Sequence, residues 1–194
     1  MQPCHAAIIR NFALLLTNKA IVVKSKTAKE THAMTTHLVL PNDTNTLGNL
    51  MGGQLLHWMD ITAAISAHRH ANRIVVTASV NHVSFNRPIK LGDIVTIEAK
   101  VSRSFNSSME VYMDVFVEHQ RTGEKKQCNE AIYTFVAVDQ IGSPIDVPKL
   151  VPESDDEIKR YGGALRRKQL SLILAGKMKP DDATELKALF DLEQ

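Results

Sequence analysis

Cysteine is nearly absent: Cys4 and Cys128 are the two in 194 residues. With no CxxC spacing they make neither a disulfide framework nor a zinc site, and a reducing compartment, the cytoplasm, is the default. Long apolar runs are missing as well. Phe12 to Leu16 and Ala20 to Val23 are split by Thr17-Asn18-Lys19, far short of the ~20 residues of a bilayer-spanning helix, so no membrane span is expected. Charge of one sign is not in excess. The 23 basic and 21 acidic residues leave a net charge of +2, too balanced for a chain whose main work is coating nucleic acid. Eight histidines are present, yet no HxxxH, HExxH or GxSxG spacing occurs. A metal site or serine triad is therefore not expected, and the histidines read as surface or structural.

What is present fits one domain with extensions: 194 residues, 44% apolar and 23% charged, close to the soluble globular average. In residues 1–33 five basic residues (Arg10, Lys19, Lys24, Lys26, Lys29) precede the first acid, Glu30. The interrupted apolar stretch and the missing small-residue cleavage site argue against a secretion signal. A flexible extension is expected there. Thr36 to Leu40 is a short strand candidate, and Pro41-Asn42-Asp43-Thr44-Asn45 is a dense turn signal. The strongest helix, roughly Gln54 to His70, follows Gly52-Gly53, with Leu55, Met59, Ala63 and Ala67 on one stripe and Leu56 and Ile65 beside it. Apolar on more than one side, it calls for wrapping by other structure.

Strands come next. Val76, Ala78 and Val80 are out of phase with Val83 and Phe85, which points to a β-bulge near Asn81-His82. Val95 to Val101 and Met109 to Val117 alternate apolar with polar, as antiparallel strands with one buried face do. Asn106-Ser107 and Thr122-Gly123 supply their turns. The last strand, Gln127 to Val138, is apolar on both faces and is expected to be covered on both. One strand, one long buried helix and four long strands make an α+β layer with an antiparallel sheet curled around the helix, the hotdog arrangement. After Pro152 the chain reads helical: Ser154 and Glu157 form a capping box, Gly162-Gly163 breaks the run, and Asp182 with Glu185 caps again. Leu165, Leu170, Leu172, Ile173 and Leu174 leave these helices adhesive. The division is thus 1–33 extension, 34–150 hotdog domain, 151–194 helical extension.

Three features carry chemistry. Gly48-Asn49-Leu50-Met51-Gly52-Gly53 leads into the helix without a bulky first turn, so free amides and the positive helix end can receive a developing negative charge. Asn49 adds a neutral donor beside them. A tight turn with a capping Asn49 is the plainer alternative. Asp60 sits mid-helix among Trp58, Met59 and Ile61, where a carboxylate is costly unless partnered or used. General-base work is such a use; facing solvent or pairing with Arg87 is the alternative. Gly53 and Asp60 are seven residues apart, ~10 Å along one helix, so they cannot reach one carbonyl within a chain. If they cooperate, they do so across a dimer. Arg69, Arg73, Arg87, Lys90, Arg103 and Arg121 flank strand ends and are candidates for phosphate contacts. Arg166-Arg167-Lys168 reads as a solvated helix face.

As a set, Asp43-Thr44-Asn45, Gly48-Asn49, Gly52-Gly53, Met59-Asp60, Val76 to Val80, Phe85, Pro88-Ile89, Gly92-Asp93 and Thr134 to Asp139 resemble the hotdog-fold acyl-coenzyme A thioesterases related to brain acyl-CoA hydrolase. The match covers about residues 35 to 150. It implies hydrolysis of acyl-CoA to free acid and coenzyme A without a cofactor. Asp60 is then general base or nucleophile, and Asn49 works from the facing subunit. The Gly52 and Gly53 amides polarise the carbonyl, and Asn81, Ser107 and Ser108 touch substrate. It also implies a homo-oligomer, a dimer with one continuous sheet and often a trimer of dimers. Two rivals are a hotdog hydroxyacyl-thioester dehydratase, which needs a histidine such as His57 or His82 beside the acid, and a non-enzymatic acyl-CoA sensor.

Overall fold

The structure is a computed structural model that describes residues 25–81, 83 and 87–190. In chain order its elements are β1 (Ser25–Thr27), α1 (Ala28–Thr31), β2 (Ala33–Leu38), α2 (Gly52–Ala71), β3 (Ile74–Asn81), β4 (Ile94–Ser104), β5 (Ser108–Glu118), β6 (Lys125–Val138), β7 (Lys149–Val151), α3 (Asp155–Leu174) and α4 (Thr184–Lys187). Alanine and leucine carry α2 through 20 residues, and it stops at Asn72, which takes the left-handed conformation of a helix C-cap (φ 50°). Leu55, Met59, Ala63 and Ala67 on its buried stripe are at most 1% exposed. Burying a leucine or methionine there contributes about 1.5–3 kcal/mol each.

The stripe lies on the concave face of one antiparallel sheet, in the order β2-β4-β5-β6-β3. Val95, Ile97, Ala99 and Val101 of β4, Met109 to Val115 at odd positions of β5, and Ala131, Tyr133, Phe135 and Ala137 of β6 form its buried inner rows. This is the helix-in-curled-sheet arrangement that the strand pattern implies. β2 and β3 are the two sheet edges.

Several boundaries differ from expectation. Residues 25–33, expected in a flexible extension, are built into the fold. β1 pairs in parallel with β7, and Ala28, Thr31 and Ala33 are buried. The polar, basic composition there masks a docking segment, because Lys26 spends its ammonium on the Arg69 carbonyl at the end of α2. The β3 irregularity falls at Ala78, between Thr77 and Ser79, and pairing continues to Asn81 opposite Ile132; His82 lies outside the described residues. The apolar alternation Val76-Ala78-Val80 conceals this bulge. Val76 faces outward while Val80, opposite Tyr133, joins Thr77, opposite Phe135, on the helix side.

α3 runs unbroken through Gly162-Gly163. Its polar side faces the convex side of the sheet: Arg160 binds Asp114 at 3.0 Å, Arg167 binds the buried Glu110 at 2.7 Å, and Lys168 donates to Ser108 at 3.3 Å. Arg160 also covers the Tyr112 ring at 3.7 Å. These contacts offset the ~1 kcal/mol that a helix-interior glycine costs, and the missing Gly163 side chain leaves room for the Arg167 guanidinium, which a Cβ there would meet at 2.9 Å. The run expected to be a solvated face is thus largely an attachment face. The capping box at Ser154 and Glu157 forms. The one expected at Asp182 and Glu185 does not: Asp182 belongs to a 3-10 turn, and the Leu186 amide is taken by the Gln169 side chain at 2.9 Å.

Candidate active site

The turn-rich segment before α2 closes into a small loop. The Asn45 amide donates to the Asn49 carbonyl (2.8 Å), and the Asn45 Oδ1 accepts from the amides of Leu47 (2.9 Å) and Asn49 (3.2 Å). The loop is moored to residues 89–91 by Leu50 N to Ile89 O (2.7 Å) and Leu91 N to Gly48 O (3.0 Å). Two amides on one oxygen fix the Asn45 carboxamide with its Nδ2 as the remaining donor. Asn49, the residue singled out on sequence grounds, closes the loop through its backbone. Met51 caps α2 without a side-chain bond, and its carbonyl takes the Gln54 and Leu55 amides. The Gly52 and Gly53 amides therefore open the helix with no acceptor among the described residues, and the place a Gly53 Cβ would take has nothing within 4 Å. A helix mouth of this kind receives negative charge well.

Asp60 lies on the same helix, ~10 Å further along its axis, half-buried on the side that faces β3. Its partner is not a histidine: Thr77 Oγ1 donates to Asp60 Oδ1 at 2.8 Å. The bulge at Ala78 directly follows that threonine. Tyr133, 1% exposed, stands behind the pair with its phenol pushed up to about 12, chiefly by burial and then by the Asp60 charge. The carboxylate thus has one oxygen held by a hydroxyl, the other without a partner among the described residues, and a neutral wall behind it.

The remaining sequence candidates lie apart from Asp60 within one chain. Asn81 ends β3, exposed, and donates to Ser79 at 3.1 Å. Ser107 is in the β4–β5 turn, where its carbonyl accepts from the Ala137 amide at 2.9 Å. Ser108 is buried, opposite Val136, with its hydroxyl on Lys168, two strands removed from β3. His57 is exposed, whereas His37 stacks on Trp58 at 4.3 Å, its basicity lowered by burial. No group of three His, Cys, Asp or Glu among the described residues is placed to hold a metal ion. No described helix is long and apolar enough to cross a membrane.

The sequence profile of the thioesterase superfamily matches residues 47–124. An uncharacterized acyl-CoA thioester hydrolase of Bacillus subtilis, YkhA, is 41% identical over 144 residues, 74% of this chain and 84% of that one. A solved apo-hexameric acyl-CoA thioesterase superposes with a TM-score of 0.76 at 38% identity, covering 79% of this chain and 98% of the other. The acyl-CoA hydrolase of Staphylococcus aureus, solved with butyryl coenzyme A, coenzyme A and coenzyme A disulfide, superposes at 0.72 and 33% identity, with 88% and 99% covered. It has also been solved with an aspartate, an asparagine or a threonine replaced by alanine. There the asparagine precedes the aspartate by 15 positions and the threonine follows it by 17. Asn45, Asp60 and Thr77 stand at the same two intervals here. Sequence reading passed over Asn45, which looks like one more turn residue, and Thr77, which looks like the polar half of an alternating strand. The signal that finds them is their distance from Asp60. On the strength of its identity to YkhA across most of both chains, the protein belongs to the thioesterase superfamily.

Proposed function

We propose that the protein hydrolyses acyl-coenzyme A to a carboxylic acid and coenzyme A, at sites composed from two copies of the chain. The observation that carries the reading is the half-buried Asp60 carboxylate, held on one oxygen by Thr77 and standing beside an unpaired sheet edge. Its free oxygen takes a proton from water, and the water oxygen attacks the thioester carbonyl. The resulting oxyanion needs donors that the same helix cannot bring to Asp60. The Gly52 and Gly53 amides and the Asn45 Nδ2 of a second copy supply them. Collapse breaks the C–S bond, and the proton held by Asp60 passes to the departing sulfur.

Exposure along the edge supports the second copy. Among the described residues β3 is hydrogen-bonded on one side only, to β6, and both of its faces stay apolar and exposed, Ile74 and Val76 outward, Val80 with Ile61 and Ile65 of α2 on the helix side. An open strand bearing an apolar patch is a pairing surface. Two copies meeting there edge to edge across a two-fold axis would continue the sheet. The cytoplasm, which supplies acyl-CoA and keeps Cys128 reduced, is the compartment this activity fits. The test is thiol release from purified protein across a series of acyl-CoA chain lengths. Wild type turns over, and Asp60→Asn loses ~10²–10⁴ of kcat while keeping its fold by circular dichroism. Near-normal turnover by that variant would refute the assignment, as would an enoyl product from hydroxyacyl-CoA in place of free thiol.

A further inference from the structure

Arg87, the basic partner that the sequence offered Asp60, makes no ion pair among the described residues. It stands instead on the wall of a cavity of about 350 Å³, between residues 87–89 and the facing ends of β5 and β6. The cavity adjoins the mouth of α2. Ile89, buried in its wall, accepts the Leu50 amide at 2.7 Å, and Leu50 precedes Gly52 by two residues, a span of at most ~7 Å. The floor is the concave side of the sheet. Val117 continues the inner row of β5, and Cys128 is the extra residue of a bulge in β6, between Gln127 opposite Phe116 and Asn129 opposite Val115.

This cavity is apolar where it meets the core and charged where it opens. Ile89, Val117 and Cys128 pack with the core, whereas Arg87 and Lys126 are exposed at the rim. Both carboxylates of the wall are engaged: Asp93 accepts the Lys90 amide at 2.9 Å, and Glu124 pairs with Lys126 at 2.7 Å. His119 turns its ring to the Thr122 hydroxyl at 3.4 Å. The Arg87 guanidinium is left over. Burial pushes the neighbouring Cys128 thiol up to about 11, against the opposing charge of Arg87, so the cation lies near the apolar floor.

An apolar throat that ends on a cation suits a few methylenes followed by an anion, and a guanidinium takes a carboxylate by two parallel hydrogen bonds. We propose that the cavity receives the acyl group and that Arg87 pairs with a carboxylate at its far end, so that the preferred substrates are coenzyme A thioesters of short dicarboxylic acids. The mouth and the cavity belong to one chain, so an acyl group whose carbonyl oxygen rests on the Gly52 and Gly53 amides can extend into the cavity of that same copy. The coenzyme A phosphates are the other anions of the substrate. A pocket floored by the core suits them less, because one arginine would not offset the cost of taking them out of water. The inference rests on the hydrolase reading above and names the substrate class of that site.

Adipoyl-CoA and hexanoyl-CoA differ only in a terminal carboxylate against a methyl group. Full-length wild type and Arg87→Gln are compared by thiol release on both, with the enzyme-free rate subtracted. Wild type is expected to favour adipoyl-CoA in kcat/KM by about tenfold, the size of one charge-assisted pair. Arg87→Gln is expected to lose adipoyl-CoA turnover selectively, so that the ratio of the two substrates falls to about one. The proposal is overturned alone if wild type releases thiol but favours adipoyl-CoA by less than about threefold, or if Arg87→Gln keeps the wild-type ratio. A loss of kcat/KM by the same factor on both substrates overturns it equally, since Arg87 then serves the coenzyme A phosphates. A wild type that releases no thiol from any acyl-CoA overturns the hydrolase reading first, and this inference with it.

Discussion

Thr77 is the residue whose removal separates orientation from chemistry. Its hydroxyl donates to Asp60 at 2.8 Å, a bond to a charged acceptor that is worth about 1.5–3 kcal/mol, or roughly ten- to a hundredfold in rate at 1.4 kcal/mol per tenfold. Thr77→Val keeps the β-branched shape and is expected to lose that much kcat with little change in KM. Thr77→Ser, which restores a donor, is expected to recover most of the loss. Equal turnover in the valine and serine variants would show that the carboxylate needs no such partner. What the sequence does show of Asp60 is an acid amid Trp58, Met59 and Ile61 that needs a partner or a use, and the structure gives it a partner in Thr77. Asn45 was not legible. It lies in a run of turn-forming residues, where an asparagine that caps its own loop and one that also offers an outward Nδ2 look alike.

At the scale of elements, periodicity carried most of the fold. The alternating strands and the alanine-rich helix are where the pattern puts them, since each must bury one face. Attachments made by charge were not legible: β1, α1 and α3 dock through Lys26, Arg160 and Arg167, residues that in a sequence read as solvent-facing. The same docking leaves a titration signature at the end of α2. His70 is fully buried, donates from Nε2 to the Pro148 carbonyl at 2.7 Å, and has no partner for Nδ1 among the described residues. Burial lowers its basicity most and the Lys26 ammonium lowers it further, against opposing effects of the Pro148 bond and Glu30. The unfolded chain therefore binds the proton more readily than the folded one. Stability is expected to be flat above about pH 6.5 and to fall as pH drops below it. Melting temperatures between pH 7.5 and 5 check this. His70→Gln should start lower at pH 7.5 and fall less steeply, with the half-buried His37 keeping part of the slope. An equally steep fall in that variant would place the titration elsewhere.

For the whole molecule the decisive question is whether one chain can hold a complete site, and the length of α2 answers it. Asp60 and the helix mouth stand on one rigid rod, ~10 Å apart, so no side-chain rotation joins them, and the proposed site takes the helix mouth of a two-fold neighbour instead. That separation was readable from residue numbers alone, whereas the bulge after Thr77, which puts Val80 on the same face as Thr77, was not, because Val76 and Val80 keep an apolar alternation on both sides of it. A mixture follows from the geometry. Asp60→Asn and Asn45→Ala chains are each expected to be nearly inactive. Unfolded and refolded together in equal amounts, they assort so that half of the two-fold pairs are mixed, and each mixed pair has one site with Asp60 from one chain and Asn45 from the other. Activity should return to about a quarter of wild type. A site enclosed within a single chain predicts no return at any mixing ratio, since no subunit in the mixture then owns both groups.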